Sequence, residues 1–457
     1  MTTAELEHVL FFVASGADFG GNGADFRPSS PGETLPAMDL LELADKLFTG
    51  ELPIEAHHPF ASSGQMAEVQ PGLAFVDAFA NSAAVDTADG LVIVDTSGVF
   101  HAKSVHDTIR TWSSRPLHTA IFTHGHIDHV FGVDLYEEDA RTNGWPAPRV
   151  IAHTAIAERF ERYRMTAGYN AVINQRQFKA PGLRWPTEYR MPDETYTDTL
   201  SLTVGGETFE LYHDRGETDD ATWVWSPARR TVFSGDMFIW ASPNCGNPQK
   251  AQRYARDWAI AFRKMAALEP EVLLPGHGLP ILGAARVQRA LTEGAELLES
   301  LVEQTLALMN EGARLDDIVQ TVRAPAHLLE RPYLHAVYDE PEFVVRNLWR
   351  LYGGWYDGDP SHLKPAPAGA LAREIADLAG GPSRLAARAL EVAAAGDLRL
   401  AGHLAELAAQ AAPDDAGVHA ARAEVFGARA GAEASTMSKG IFSWAAHEST
   451  GKTKEPA

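Results

Sequence analysis

A single cysteine, Cys245, stands in 457 residues. One thiol makes no intramolecular disulfide, so nothing in the chain reports an oxidising compartment, and a cysteine-rich zinc cluster is excluded. Cations are also scarce: 39 Lys and Arg against 61 Asp and Glu leave a formal net charge of −22. A phosphate backbone or an anionic bilayer rewards clustered Lys and Arg, so neither nucleic acid nor membrane is an expected partner. An anionic small molecule stays open, because a bound metal overrides the global field locally. Long apolar runs are missing too. No segment approaches the roughly 20 apolar residues that span a bilayer. The opening MTTAELEHVLFFVASG lacks the basic start and apolar length of a signal peptide, so a cytoplasmic protein is expected.

What is present has a clear order. The length exceeds what one core usually supports, which predicts two or three domains. Residues 1–68 read as an N-terminal extension, with a Gly-rich patch, GADFGGNGADF, and an amphipathic stretch, MDLLELADKLFTGEL, apolar at helical spacing. Over 69–290 the texture becomes short β-rich runs such as GLVIVDT, TAIFTH, RVIAH, ATWVWSP, TVFSGD and VLLPGH, many ending in Thr, His or Asp. Helical patterns intervene at HAKSVHDTIRTW, TAIAERFERYR and RYARDWAIAFRKMAAL, so this region reads as sheets sandwiched between helices. Residues 291–365 form a helical extension and connector that closes on a Pro- and Gly-rich break. Residues 366–435 are Ala- and Leu-rich helical hairpins, and 436–457 are expected as a tail, ending in the polar ESTGKTKEPA.

The chemistry concentrates in Thr123-His124-Gly125-His126-Ile127-Asp128-His129. His124 and His126, two apart on an extended segment, face one side; Asp128 and His129 follow as the chain turns toward a helix. One metal takes the first pair and its neighbour the second, and imidazole and carboxylate donors at this density suit Zn²⁺ with positions left open for water. Three distal residues complete the set: Glu217, Asp236 and His277, each directly after a glycine that lets the backbone turn sharply. Asp236 is short enough to bridge two cations. Glu217 has adjacent competitors in Asp219 and Asp220, and His213 reads as a packing histidine. Asp95, ending GLVIVDT, either fixes the tautomer of a ligand histidine or caps its strand.

Two Zn²⁺ ions per subunit are thus expected on His124, His126, Asp128, His129, Glu217, Asp236 and His277. They carry about four positive charges against about three carboxylates, and a bridging hydroxide closes the gap. That metal-bound hydroxide is the expected nucleophile of a hydrolase, with Asp128 and Asp236 as its catalytic carboxylates.

The assembly resembles the metallo-β-lactamase superfamily, in which an H-x-H-x-D-H run is followed by a third ligand, a bridging Asp and a final His. Where most members read PGHT, this chain reads RGET, which resembles the alkyl sulfatase branch. GETDDATWVW, VFSGD and Pro243-Asn244 are similar to elements of that branch, RNLWRLYGGWYDGDPSHLKP is very close to its connector hallmark, and AAAGDLRLAGHLAELAAQAAPDD resembles its dimerisation domain. The resemblance spans about 70–430. It implies an αββα sandwich followed by an all-helical dimerisation domain, a homodimer, and hydrolysis of a sulfate ester of an organic alcohol. The substrate is then a small anion with an apolar part. The alternative keeps the cage and changes the bond to a phosphate ester, lactone or amide. A di-iron oxidoreductase fits less well, since those members place Glu where His126 stands.

Departures from the branch bear on substrate. Its Arg-Gly after Pro-Asn is Asn244-Cys245-Gly246-Asn247-Pro248-Gln249-Lys250 here, a later Arg-Asp matches Arg256-Asp257, and a His found in some members is Phe343, so no leaving-group acid is identified. The substrate candidates are Asn244, Lys250, Arg256, and Asn170 and Arg176 from an insertion after RVIAH that loosely resembles the branch's Asn-Ala-x-x-Arg-Arg segment. Phe178, Phe238 and Trp240 are candidates for an apolar cleft. The branch commonly adds a lipid-transfer-like domain after the bundle; the sequence here ends soon after it, which weakens the expectation of a detergent-type substrate.

Overall fold

The structure, a computed structural model, describes residues 38–453. The Gly-rich patch and the first residues of the expected extension lie outside the described residues. Its amphipathic stretch is a helix, Leu40–Thr49, opened by Asp39, whose carboxylate accepts from the backbone of Leu41 and Glu42, and closed by Gly50 in the left-handed conformation at φ 76°. The apolar face buries Leu40, Leu43, Leu47 and Phe48, and Phe48 stacks on Tyr333 at 5.1 Å.

Two mixed sheets form the centre. The first holds β1 (Met66–Gln70), β2 (Leu73–Val76), β3 (Ser82–Thr87), β4 (Gly90–Val94), β5 (Leu117–Ile121), β6 (Arg149–His153) and β7 (Glu194–Tyr196) side by side in chain order. The second holds β8 (Thr199–Val204), β9 (Glu207–His213), β10 (Thr222–Ser226), β11 (Thr231–Gly235), β12 (Val272–Pro275) and β13 (Ile281–Leu282), also in chain order across the sheet. Strands β4 to β7 are parallel, as are β11 and β12. The apolar run GLVIV follows from this placement: Val92 and Val94 face the core between the sheets, while Leu91 and Ile93 face the helices outside.

The outer face of the first sheet is covered by helices Ala102–Trp112, Val133–Asn143 and Ile156–Met165, through Val105, Ile109, Tyr136 and Phe160. On the far side, helices Ala255–Ala267 and Ala284–Asn310 pack Trp258, Phe262 and Leu298 with the second sheet. This is the expected αββα sandwich. It joins through helix Pro341–Gly353 to an all-helical region, Ala368–Ala379, Pro382–Ala394, Leu398–Ala411 and Ala416–Ala432, cored largely by alanines.

The segment read as a tail is helix over Thr436–Thr453. Its buried positions are Met437, Ser438, Gly440 and Ser449, so, Met437 apart, the packed face is built from small residues of the kind found in polar tails. Among the described residues, no helix is long and apolar enough to cross a membrane.

Candidate metal centre

One edge of the sandwich gathers the charged residues. His124, His126, Asp128 and His129 occupy the loop between β5 and helix Val133–Asn143, Asp236 directly follows β11, and His277 lies just beyond β12. Glu217 sits deeper in a loop, four residues after β9 ends. Glycine is required at two of these turns. Gly235 has φ +50°, and a Cβ there would run into Thr123; a Cβ on Gly276 would overlap the Asp236 carboxylate. The two sheets are tied at this edge by Thr222 N donating to Thr123 O at 2.7 Å and Asn81 N donating to Gly276 O at 2.8 Å. The Asn81 side chain also donates to the carbonyls of Pro275 and Gly278, which fixes the His277 loop.

The donor atoms fall into two groups, His124, His126 and Asp236 in one and Asp128, His129 and His277 in the other, which gives two candidate His/Asp metal sites among the described residues. Asp236 reaches both. Its Oδ2 lies 3.4 Å from His124 Nε2 and 3.9 Å from His126 Nδ1, while its Oδ1 lies 3.3 Å from His129 Nε2 and 3.4 Å from His277 Nε2. Asp128 Oδ2 is 3.5 Å from His277 Nε2 and 3.8 Å from His129 Nε2. Glu217 borders the first group, with Oε1 3.9 Å from His126 Nδ1.

Hydrogen bonds behind the imidazoles fix their tautomers. Asp95 Oδ2 accepts from His129 Nδ1 at 2.7 Å and from Thr123 Oγ1 at 2.7 Å. Thr123 Oγ1, its proton so committed, accepts from His124 Nδ1 at 3.0 Å. His277 Nδ1 donates to Phe79 O. One buried carboxylate thus orients two histidines, and three rings turn Nε2 inward, that of His124 lying 2.7 Å from His126 Nδ1. Asp95 does this from φ 55°, a conformation that non-glycine residues seldom adopt.

Charge agrees with the geometry. Burial opposes an anion at Asp236, but His277, His129 and His124 outweigh it and hold the carboxyl well below the ordinary range. Burial likewise disfavours charge on His129, yet Asp236, Asp95 and Asp128 raise it well above an ordinary imidazole. His126 is lowered by burial and by His124 beside it. Three buried polar atoms here have no hydrogen-bond partner: His129 Nε2, Asp236 Oδ1 and Glu217 Oε2. Buried donors and acceptors rarely go unpaired, and cations among these atoms would supply the missing partner. The donor set therefore fits a metal pair.

Arg253 is the residue the sequence reading missed. Its buried guanidinium lies 2.6 Å from Glu217 Oε1 and also donates to Asn244 O, and Asn244 Nδ2 donates to the same Glu217 oxygen at 2.5 Å. One oxygen of Glu217 is thereby occupied and the other left free. Arg256 is instead exposed on helix Ala255–Ala267, because Ala255, Trp258, Ala259 and Phe262 form that helix's buried stripe. The same stripe, visible in the sequence, could have separated the two arginines. The competitors of Glu217 point elsewhere: Arg159 Nε bonds Asp220 at 2.7 Å, and Arg159 also pairs with Asp219.

The other substrate candidates divide. Lys250 Nζ lies 3.3 Å from Asn174 Oδ1 and 5.5 Å over the Trp185 ring. Burial, and the Arg253 charge with it, pull this ammonium down to about 8 despite Asp128 and Glu217. Arg176 bonds Gln249 at 2.9 Å, and Asn170 turns back onto Thr166 of its own turn. Phe178 stands edge-on to Phe79 at 6.3 Å, but Phe238 and Trp240 belong to the core, where Trp240 Nε1 donates to Leu279 O. His213 stacks on His153 at 3.6 Å and takes no part in the cage.

Comparison with known proteins follows this division of the chain. Residues 76–277 match the metallo-beta-lactamase superfamily and residues 314–452 match alkyl sulfatase dimerisation. The chain is 26% identical over 321 residues to a linear primary-alkylsulfatase of Pseudomonas sp. (strain ATCC 19151), covering 65% of this chain and 60% of that protein. It is 23% identical over 329 residues to the alkyl/aryl-sulfatase BDS1 of Saccharomyces cerevisiae (strain ATCC 204508 / S288c), covering 66% of this chain and 50% of that one. The chain so spans half to 60% of the length of these curated relatives. Among solved structures, a stereoselective inverting sec-alkylsulfatase from Pseudomonas sp. superposes with a TM-score of 0.76 at 22% identity, over 85% of this chain and 66% of that one, which shows the shared fold.

Proposed function

We propose that this metallo-beta-lactamase superfamily chain, with its alkyl sulfatase dimerisation region, hydrolyses a sulfate ester of an organic alcohol at two Zn²⁺ ions per subunit. The observation that carries the reading is Asp236, which offers one carboxylate oxygen to each histidine group. His124, His126 and Glu217 with Asp236 would hold one ion, and Asp128, His129 and His277 with Asp236 the other. When bound, such a pair supplies Lewis acidity and a water acidic enough to lose its proton near neutral pH.

The chain's own groups do the rest. Arg253 and Asn244 pin Glu217 by Oε1, the oxygen 3.9 Å from His126 Nδ1, and leave Oε2 without a hydrogen-bond partner. Asp95 keeps His129 and, through Thr123, His124 in the tautomer that presents Nε2 inward. Lys250, between Asn174 and the Trp185 ring, supplies the cation for an anionic head group. Phe60, whose ring lies 4.3 Å from that of His277, and Phe79 and Phe178 beside it offer apolar contact for the remainder of the substrate. The similarity to alkylsulfatases supports sulfate over other head groups. The helical region supports a homodimer.

A panel of alkyl sulfates, alkyl phosphates and lactones, each assayed for its released acid with metal content measured alongside, tests the proposal. Sulfate release with close to two zincs per chain is expected. Release of phosphate or carboxylate alone would leave the cage standing and overturn the substrate.

A further inference from the structure

The helix Thr436–Thr453 joins two parts of the molecule. Its far end is bound to the helical region: Arg422 Nη1 donates to Ser449 Oγ and to Ala445 O, each at 2.8 Å, and the Arg429 guanidinium lies 3.9 Å over the Phe442 ring. Its near end is bound to the connector that follows the sandwich. Thr436 N donates to Val337 O at 2.9 Å, Ser435 Oγ to Tyr338 O at 2.7 Å, and Ser438 Oγ to the Glu340 carboxylate. Met437 is wholly buried in the main core.

Between these ends lies Gly440. A Cβ there would overlap the carbonyl of Gln177 and come within 3.0 Å of its Cα. Gln177 belongs to the insertion helix Ala167–Phe178, which also carries Asn170, Asn174 and Arg176. Its side chain donates to Tyr338 Oη at 2.9 Å. The Tyr338 ring lies 4.2 Å from Phe60, which in turn packs against the ligand-side histidine His277. Glycine is a poor choice for a helix interior. Direct backbone contact between two helices accounts for it here, as nothing larger fits.

We infer that Gly440 is a positioning residue of the substrate site: it seats the insertion helix on the terminal helix, so that the helical region sets where Asn174 and Lys250 stand relative to the metal cage. This rests on the reading of the insertion as the substrate side of the site. It separates two jobs. The cage takes all its donors from the sandwich edge, while the substrate wall is held from behind by a helix anchored in the dimerisation region.

The experiment compares Gly440→Val and the milder Gly440→Ala with Gly431→Ala, a helical glycine whose Cβ would meet open space, all in the full chain. Overpacking at a tight contact predicts a KM increase of about tenfold for Gly440→Val, with a smaller step for Gly440→Ala. Metal content and kcat are expected to stay within about twofold of the parent, since no ligand is touched. Amide exchange over residues 167–178 is expected to accelerate in the Gly440 variants and not in Gly431→Ala. The exchange measurement needs no substrate, so it stands whichever ester is turned over. Unchanged exchange and KM in both Gly440 variants would overturn the inference. So would a parallel loss of metal and kcat in Gly440→Ala, which marks a general folding defect. Should Gly440→Val fail to fold, Gly440→Ala and Ser435→Ala carry the same test in smaller steps.

Discussion

The sandwich and the helical region are both packed cores, built from opposite materials. The sandwich buries Trp223, Phe233, Trp258 and Phe262 and, at one edge, a set of histidines and carboxylates that no apolar core would admit unpaired. The helical region buries Ala376, Ala386, Ala389, Ala405 and Ala408 and turns Leu371, Leu378 and Leu400 outward. Burying charge is costly unless its partners are rigidly placed. Large interlocked side chains, a strained Asp95 and glycine turns at 235 and 276 supply that rigidity. The alanine core lets helices approach closely and leaves these three leucines at a surface, the arrangement expected of a region that meets another copy of itself.

The strongest way to break this contrast is to remove the shared carboxylate. Asp236→Ala takes one oxygen from each histidine group, and turnover is expected to fall by at least on the order of 10³-fold with loss of bound metal. Metal analysis and thermal unfolding followed region by region check it, because the helical region should melt unchanged. A variant that keeps both metals and its rate would end the bridging assignment. Next in size is Phe233→Ala. Opening a cavity at a fully buried ring of the sandwich is expected to cost about 3–5 kcal/mol, measured by denaturant unfolding. Leu378→Asp probes the other side. This side chain is 89% exposed, so subunit stability should shift by no more than about 0.5 kcal/mol. If the outward leucines face a partner copy, sedimentation will show the dimer dissociating at concentrations where the parent holds.

The same contrast explains what could be read from the sequence. The cage was legible because its donors cluster in one seven-residue run, and Asp236 and His277 follow glycines at strand ends. Strand runs such as GLVIV were legible because burial on both faces makes them continuously apolar. Spacing alone could not choose among Glu217, Asp219 and Asp220, since the choice is made by Arg159 arriving from a distant helix. Arg253 escaped because Arg256-Asp257, three residues on, matches the branch's Arg-Asp, although the buried stripe of helix Ala255–Ala267 leaves Arg256 outside. The terminal helix escaped for a physical reason: Ser, Gly and Thr at close helix contacts look like a solvated tail until the neighbours are in place.

Lys250 gives a milder test at the boundary of the two regions. With its ammonium pulled down to about 8, it is cationic at neutral pH and loses its charge as pH rises past that value. An anionic substrate then meets a neutral amine, so KM is expected to climb above about pH 8, with kcat less affected. Lys250→Arg, which stays cationic, is expected to flatten that rise, although a bulkier group over Trp185 raises KM throughout.

The smallest effect concerns stability in acid, at a place away from the cage. His153 and His213 stack at 3.6 Å with their planes 10° apart. His153 Nδ1 accepts from Ala155 N at 3.2 Å and its Nε2 donates to Thr197 O at 2.8 Å, so a second proton costs the first of these bonds. Burial lowers its pKa, and the neighbouring ring lowers it further. A histidine depressed in the folded state binds fewer protons than it does unfolded, where its value is near 6.5. Its contribution to stability is therefore complete above about pH 6.5 and is lost as pH falls through the folded value. His213→Phe keeps the stack and removes the charge that would repel a protonated His153, so it is expected to reduce the loss of stability between about pH 6.5 and 5 relative to the parent. Denaturant unfolding at these two pH values decides it, and equal slopes for parent and variant would show that the pair does not report on acid sensitivity.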